Sequence, residues 1–159
     1  MNTTLATTIE ADPTVPAIRI TREFDASVSA VFRAHVDPEL VVQWLGPRRL
    51  TMTVQRWDAQ TGGGYAYTHV GEDGTEHHFL GSFHEIRLDE RIVQTFAYVP
   101  FADQVALETM TFTELPGGRC RIEGFSLCGS FEGRDAMLAS GMEEGVVQGY
   151  ERLDEVLSS

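Results

Sequence analysis

From about residue 17 to residue 129, apolar and polar residues alternate with a period of two in short runs, and each run ends at a cluster of Gly, Asp, Glu or Pro. This pattern predicts half-buried β-strands joined by tight turns. The first run, 17–24, places Ile18, Ile20, Arg22 and Phe24 on one face. Further runs cover 50–59, 65–70, 76–86, 91–98, 105–115 and 119–129. Gly62-Gly63-Gly64, Glu72-Asp73-Gly74, Leu88-Asp89-Glu90 and Pro116-Gly117-Gly118 supply the turns, and Pro100-Phe101-Ala102-Asp103 a loop.

Two stretches break the alternation. After the first strand, Ser27 can cap a short helix carrying Val28, Val31, Phe32 and His35. Asp37-Pro38 starts a second, which runs through Glu39 to about Trp44 and stops at Gly46-Pro47. From about Arg134 to Leu157 the apolar spacing becomes three and four: Met142, Val146, Gly149, Tyr150, Leu153, then Val156 or Leu157. That is one face of a long amphipathic helix, with Ser140-x-x-Glu143 as a capping box where it breaks or restarts.

These elements predict an α+β architecture. A curved antiparallel sheet of about six to seven strands buries one face under the long C-terminal helix, and the two short helices plug one end. At 159 residues the chain fits one domain. Residues 1–16, rich in Thr, Ala and Pro, are expected to be disordered, leaving 17–159 as the domain.

Charge narrows the partners. With 24 acidic against 12 basic residues, net −12, the surface repels nucleic-acid phosphates and anionic headgroups. The N-terminus has no basic segment followed by an apolar run, and no stretch approaches a membrane span, so a cytoplasmic protein is expected. Cys120 and Cys128 fall on one face of one strand, roughly 26 Å apart at about 3.3 Å per residue. They cannot bridge there and read as small buried hydrophobes.

Candidate chemistry is sparse. His69, His77, His78 and His84 lie in neighbouring strands, but adjacent His77 and His78 point to opposite faces, so no metal site is expected. There is no Gly-x-Ser-x-Gly elbow, and Gly62-Gly63-Gly64 lacks the lysine and the strand-loop-helix context of a phosphate loop. Nothing calls for a cofactor. The inward polar candidates are Tyr67, His69, Gln94, Tyr98 and Glu108, of which His69 and Tyr67 are the candidate acid–base groups. Gly141, Gly145 and Gly149 form a stripe at spacing four, either making room for a ligand or letting the helix approach its neighbours closely.

Several segments together resemble a known family. They are ITREFDASVSAVFRAHVDPELVVQWLGP (20–47), DAQTGGGYAYTH (58–69), GSFHEIRLDERIVQTFAY (81–98), LPGGRCRIEG (115–124) and SGMEEGVVQGYERLDEVL (140–157). Their order and spacing resemble the activator-of-heat-shock-chaperone-ATPase-like domains, within the START and polyketide-cyclase (SRPBCC) superfamily of helix-grip proteins. The chain departs from many relatives at Leu45, Cys120 and Tyr150. The resemblance implies the helix-grip fold and a cavity between the C-terminal helix and the sheet. Trp57, Tyr65, Tyr67, His69, Phe83, Phe96, Tyr98, Met110, Phe112, Met142, Val146 and Tyr150 are then the candidate ligand-binding residues. The first functional expectation is binding of a small, mostly apolar or aromatic molecule. A cyclase- or aromatase-like enzyme on the same pocket is the alternative, and a chaperone-activating domain with a protein partner is the third reading.

Overall fold

A computed structural model describes residues 5–159. The strands are β1 (Thr8–Ala11), β2 (Ala17–Phe24), β3 (Leu50–Trp57), β4 (Gly64–Gly71), β5 (Glu76–Arg87), β6 (Arg91–Tyr98), β7 (Ala106–Leu115) and β8 (Arg119–Leu127). They form one antiparallel sheet in the order β1-β2-β8-β7-β6-β5-β4-β3. The register slips between Val54 and Arg56 and between Phe83 and Glu85, and such bulges bend a sheet and increase its twist. Helices α1 (Val28–Val36) and α2 (Pro38–Val41) follow β2, and α3 (Phe131–Ala139) and α4 (Met142–Ser158) close the chain. This is the helix-grip arrangement. No helix among the described residues is long and apolar enough to cross a membrane.

The turn and cap chemistry expected from sequence is present. Ser27 Oγ accepts from the Ala30 amide and Asp37 from the Glu39 amide. The second helix is shorter than expected, its regular part ending at Val41, although helical turns continue to Leu45.

Two further features differ from the sequence reading. The sheet has eight strands, because Thr8–Ala11 pairs with β2 inside the segment expected to be disordered. Asp12 holds the connection to β2: its carboxylate accepts from the Thr14 amide and hydroxyl, the Val15 amide and Arg19. The buried Arg134 donates to the Asp12 and Ala17 carbonyls. The expectation of disorder for residues 1–4 lies outside the described residues. The C-terminal segment breaks where the sequence suggested, into two helices separated at Gly141, whose φ of +89° is a left-handed conformation that glycine adopts without strain. The Ser140 capping box is not formed, since Ser140 Oγ donates back to the Met137 carbonyl and α4 starts at Gly141.

The core lies between the concave face of the sheet and the helices. Phe24, Val31, Phe32, Trp44, Tyr65, Phe112, Ile122 and Leu153 are buried there. The glycine stripe resolves into separate roles. A Cβ on Gly149 would stand 3.2 Å from the Trp44 carbonyl oxygen, so this glycine permits close approach of α4 to the turn after α2, whereas Gly141 serves the helix break. Cys120 and Cys128 are buried free thiols.

One ion pair fastens α4 to the sheet. Arg22 belongs to the concave face of β2, and its side chain is 0% exposed. The guanidinium makes two bonds to Asp154 of α4, at 2.9 and 2.5 Å, and one to the Glu23 carbonyl, and it lies over the Phe24 ring.

Candidate functional site: the concave face of the sheet

Alternation along each strand decides which side chains reach the concave face. Tyr65, Tyr67 and His69 come from β4, Phe79 and Phe83 from β5, Gln94, Phe96 and Tyr98 from β6, and Glu108, Met110 and Phe112 from β7. Trp57 closes β3 and gives its indole N–H to the Val36 carbonyl at 2.8 Å. From above, Tyr150 and Val146 of α4 pack onto the same cluster, while Met142, at the first position of α4, stands outside it.

The two ends of this face differ. Toward β3–β5 it is filled by interlocked rings. Tyr65 stacks on Tyr67, Tyr67 on Phe79, and Phe79 on Phe96, with centroids 5.9, 5.1 and 5.5 Å apart. Trp44 stacks on Tyr150 at 5.8 Å. Toward β6–β8, concave-face residues Ile20, Phe96, Glu108, Met110 and Gly124 keep partly exposed surface. Apart from the turn after α2, the backbone of α4 comes nearest to α1 and α3 rather than to a strand. Among the described residues, one surface depression of about 440 Å³ lies around Thr53, Gln55, Thr68 and His78, and another borders Thr8 and Thr21. Neither sits beneath α4.

A polar row crosses the half-open end. Glu108 pairs with Gln94 on one side and Ser126 on the other. Its two carboxylate oxygens accept from Gln94 Nε2 at 3.1 Å and Ser126 Oγ at 3.3 Å. Gln94 reaches on to the Tyr65 hydroxyl, which donates to the Thr95 carbonyl at 2.6 Å. Burial raises the Glu108 carboxyl above the ordinary carboxylate range, against the pull of these two hydrogen bonds. The hydroxyls of Tyr67 and Tyr150 are raised well above the usual phenol value, by burial first and then by the Glu108 charge. Near neutral pH they act as hydrogen-bonding groups, not as bases.

The histidines separate. His69 is buried beneath the turn at Gly46, and its Nε2–H donates to the Leu45 carbonyl at 3.2 Å. Burial lowers it to about 4, so it is neutral at pH 7, with Nδ1 the remaining acceptor. His77 bonds the Tyr98 hydroxyl, and His78 bonds Thr68 on the opposite face. No group of three or more His, Cys, Asp or Glu able to hold a metal ion occurs among the described residues. His35, read from sequence only as a helix residue, packs against Trp44 and Phe112 and is also lowered to about 4 by burial. The parity of VALETMTF had marked Glu108 as inward. Its place between Gln94 and Ser126 depends on strand register, which a single sequence does not display.

Comparison with known proteins agrees with this architecture. A protein from Arthrobacter aurescens has 28% identity and a TM-score of 0.87, covering 95% of this chain and 91% of that one. The protein Ms6760 from Mycobacterium smegmatis has 25% identity and a TM-score of 0.83, covering 96% and 97%. A protein from Rhodobacter sphaeroides shares the fold at 23% identity, with a TM-score of 0.85 over 95% and 99%. No curated protein matches the chain. Residues 25–158 match the family model described as "Activator of Hsp90 ATPase homolog 1-like protein". With nearly the whole domain inside that match, the chain belongs to this family of helix-grip proteins.

Proposed function

We propose that this is a binding domain whose concave face takes a small, mostly apolar or aromatic molecule. The observation that carries this reading is the half-open end of the concave face, where Phe96, Met110 and Glu108 keep partly exposed surface. Apolar walls with a few fixed polar groups suit ligand binding, area giving affinity and hydrogen bonds giving orientation. The test is a thermal-shift screen of apolar and aromatic metabolites, with native mass spectrometry of the purified protein. A ligand at 100 times its dissociation constant stabilises the native state by about 2.7 kcal/mol. A hit weakened by Met110→Ala, in a variant that still folds, supports the reading. A blank screen with no co-purifying molecule rejects it.

The family match speaks more directly for a second reading, in which the domain contacts a chaperone ATPase of the kind named in the family's description. Leu80, Val99, Phe101, Val105 and Leu107 offer exposed apolar surface on the outer face and the β6–β7 loop for such a contact. Stimulation of an Hsp90-type ATPase from the same organism, lost in Phe101→Ser with Leu107→Ser, supports this reading. An unchanged ATPase rate removes it. A cyclase-like activity remains the alternative use of the concave face, and turnover of a bound ligand is its test.

A further inference from the structure

Glu108 is an unusual occupant of an apolar concave face. It lies on β7, flanked by β6 and β8, so the neighbouring strands close off its sides. Its side chain keeps partly exposed surface, as do Phe96 and Met110 on the same face. Both oxygens already accept one bond from a neutral donor, and no cationic side chain pairs with it among the described residues. Two buried guanidinium groups on neighbouring elements are committed elsewhere. Arg22 is held by Asp154, and Arg134 by the Asp12 and Ala17 carbonyls and Asp135.

Around the carboxylate the unused groups share one character. The Tyr67 and Tyr150 side chains are each 6% exposed, and their hydroxyls make no hydrogen bond among the described residues. Neither hydroxyl is among the side-chain atoms sealed from solvent without a partner. Tyr67 stacks on Tyr65, whose hydroxyl is joined through Gln94 to Glu108, and the Glu108 charge adds to burial in raising both hydroxyls. Hydroxyl oxygens accept hydrogen bonds, and the faces of Phe96, Phe79 and Tyr67 carry the negative side of an aromatic quadrupole. A carboxylate without a counter-ion and aromatic faces favour positive charge and disfavour an anion, and the two free hydroxyls have lone pairs to accept from an ammonium group.

We propose that Glu108 makes the concave face selective for ligands that carry a basic amine on an apolar or aromatic frame. The carboxylate pairs with the ammonium group, the Tyr67 and Tyr150 hydroxyls accept its remaining N–H bonds, and the aromatic faces cover its flank. This rests on the ligand-binding reading above and names the chemical class that reading leaves open. A neutral analogue of the same frame gains the apolar contacts and one hydrogen bond, without the ion pair. A carboxylate analogue meets Glu108 as a like charge.

Three probes of one shape separate the cases: 2-naphthylmethylamine, 2-naphthylmethanol and 2-naphthoic acid, titrated by calorimetry against the intact protein at pH 7. The expected order is amine, alcohol, acid, with the amine at least about tenfold tighter than the alcohol, one decade being the step a single charged contact supplies. In Glu108→Gln, which keeps the side chain's shape, that preference falls to within about twofold while the alcohol's affinity is retained. Equal binding of amine and alcohol by the natural protein overturns the amine proposal and leaves the pocket standing. No binding by any probe counts against both. A second measurement needs no variant. The Glu108 carboxyl, followed by carbon NMR through a pH titration, must titrate at lower pH with the amine bound than without it. An unchanged midpoint under saturating amine overturns the pairing.

Discussion

Removing either half of the Arg22–Asp154 pair should have very different consequences. Arg22 is sealed, its side chain 0% exposed, while Asp154 is 37% exposed. Substituting Asp154→Ala leaves a guanidinium enclosed under α4 with one carbonyl partner and with its Nε already unbonded. Stranding a buried charge costs about 3–5 kcal/mol when both partners are fully enclosed. Here Asp154 lies partly in solvent, and the gap it leaves admits water, so the expected loss is about 2–3 kcal/mol. Substituting Arg22→Met instead leaves the charge on the partner that water already reaches and fills the buried site with apolar atoms. That change should cost about 1 kcal/mol or less. For a domain of this length, 1 kcal/mol moves the melting temperature by about 2–4 °C. Asp154→Ala should therefore melt roughly 4–12 °C lower, and Arg22→Met within a few degrees of the natural protein. On the Arg22→Met background, Asp154→Ala should cost almost nothing, giving a coupling energy of about 2 kcal/mol in urea unfolding. If Arg22→Met proves as damaging as Asp154→Ala, the reasoning fails, and the arginine stem and its contact with Phe24 carry the stabilisation.

Other outcomes follow from the same geometry. His35 and His69 are held at about 4, below the unfolded value of about 6.5, so the unfolded chain takes up protons first as pH falls. Their stabilisation is complete above about pH 6.5 and is lost toward pH 4, by about 1–2 kcal/mol each between pH 7 and 5. His35→Phe should flatten that slope in denaturant titrations, and an unaltered slope counts against the assignment. Gly145→Ala, whose nearest contact would be Pro47 at 3.4 Å, should stabilise α4 by about 0.5–1 kcal/mol. Gly149→Ala should destabilise by about 1 kcal/mol net, because its Cβ meets backbone that cannot turn aside. Melting temperatures that shift in the same direction for both contradict this account. Glu108 is raised in the native state, so its charge detracts from stability as pH rises above the ordinary carboxylate range. Glu108→Gln should therefore melt higher than the natural protein at pH 8, with the gap closing at pH 4. A constant gap across that range would separate the effect from ionisation.

Which of these features a sequence displays depends on whether they arise locally. The strands from β2 to β8 follow the alternation to within a residue or two, because each turn carries its own marker in Gly, Asp or Pro. The cap at Asp37 was legible for the same reason. Strand β1 was not, since three of its four residues are exposed and only Ile9 is half-buried, so no alternation betrays it. At residues 140–143 the serine and glutamate spelled a capping box, yet Gly141 in the left-handed conformation set the break. The aromatic positions of the concave face were readable by parity. The Gln94–Glu108–Ser126 row and the Arg22–Asp154 pair join distant parts of the chain, the latter 132 residues apart, and only the folded register brings them together.

The strand order carries a consequence for how the chain is born. Strand β2 leaves the ribosome before strands β3 to β7, but its long partner is β8, and the helix that clamps Arg22 follows them all. Between these events more than half of the chain must be made while an apolar strand face and a charged guanidinium stand without native partners. Such long-range closure slows folding and exposes the nascent chain to wrong pairing. The net charge of −12 then serves before α4 is made as well as after: like charges hold incomplete copies on one polysome apart until that helix arrives.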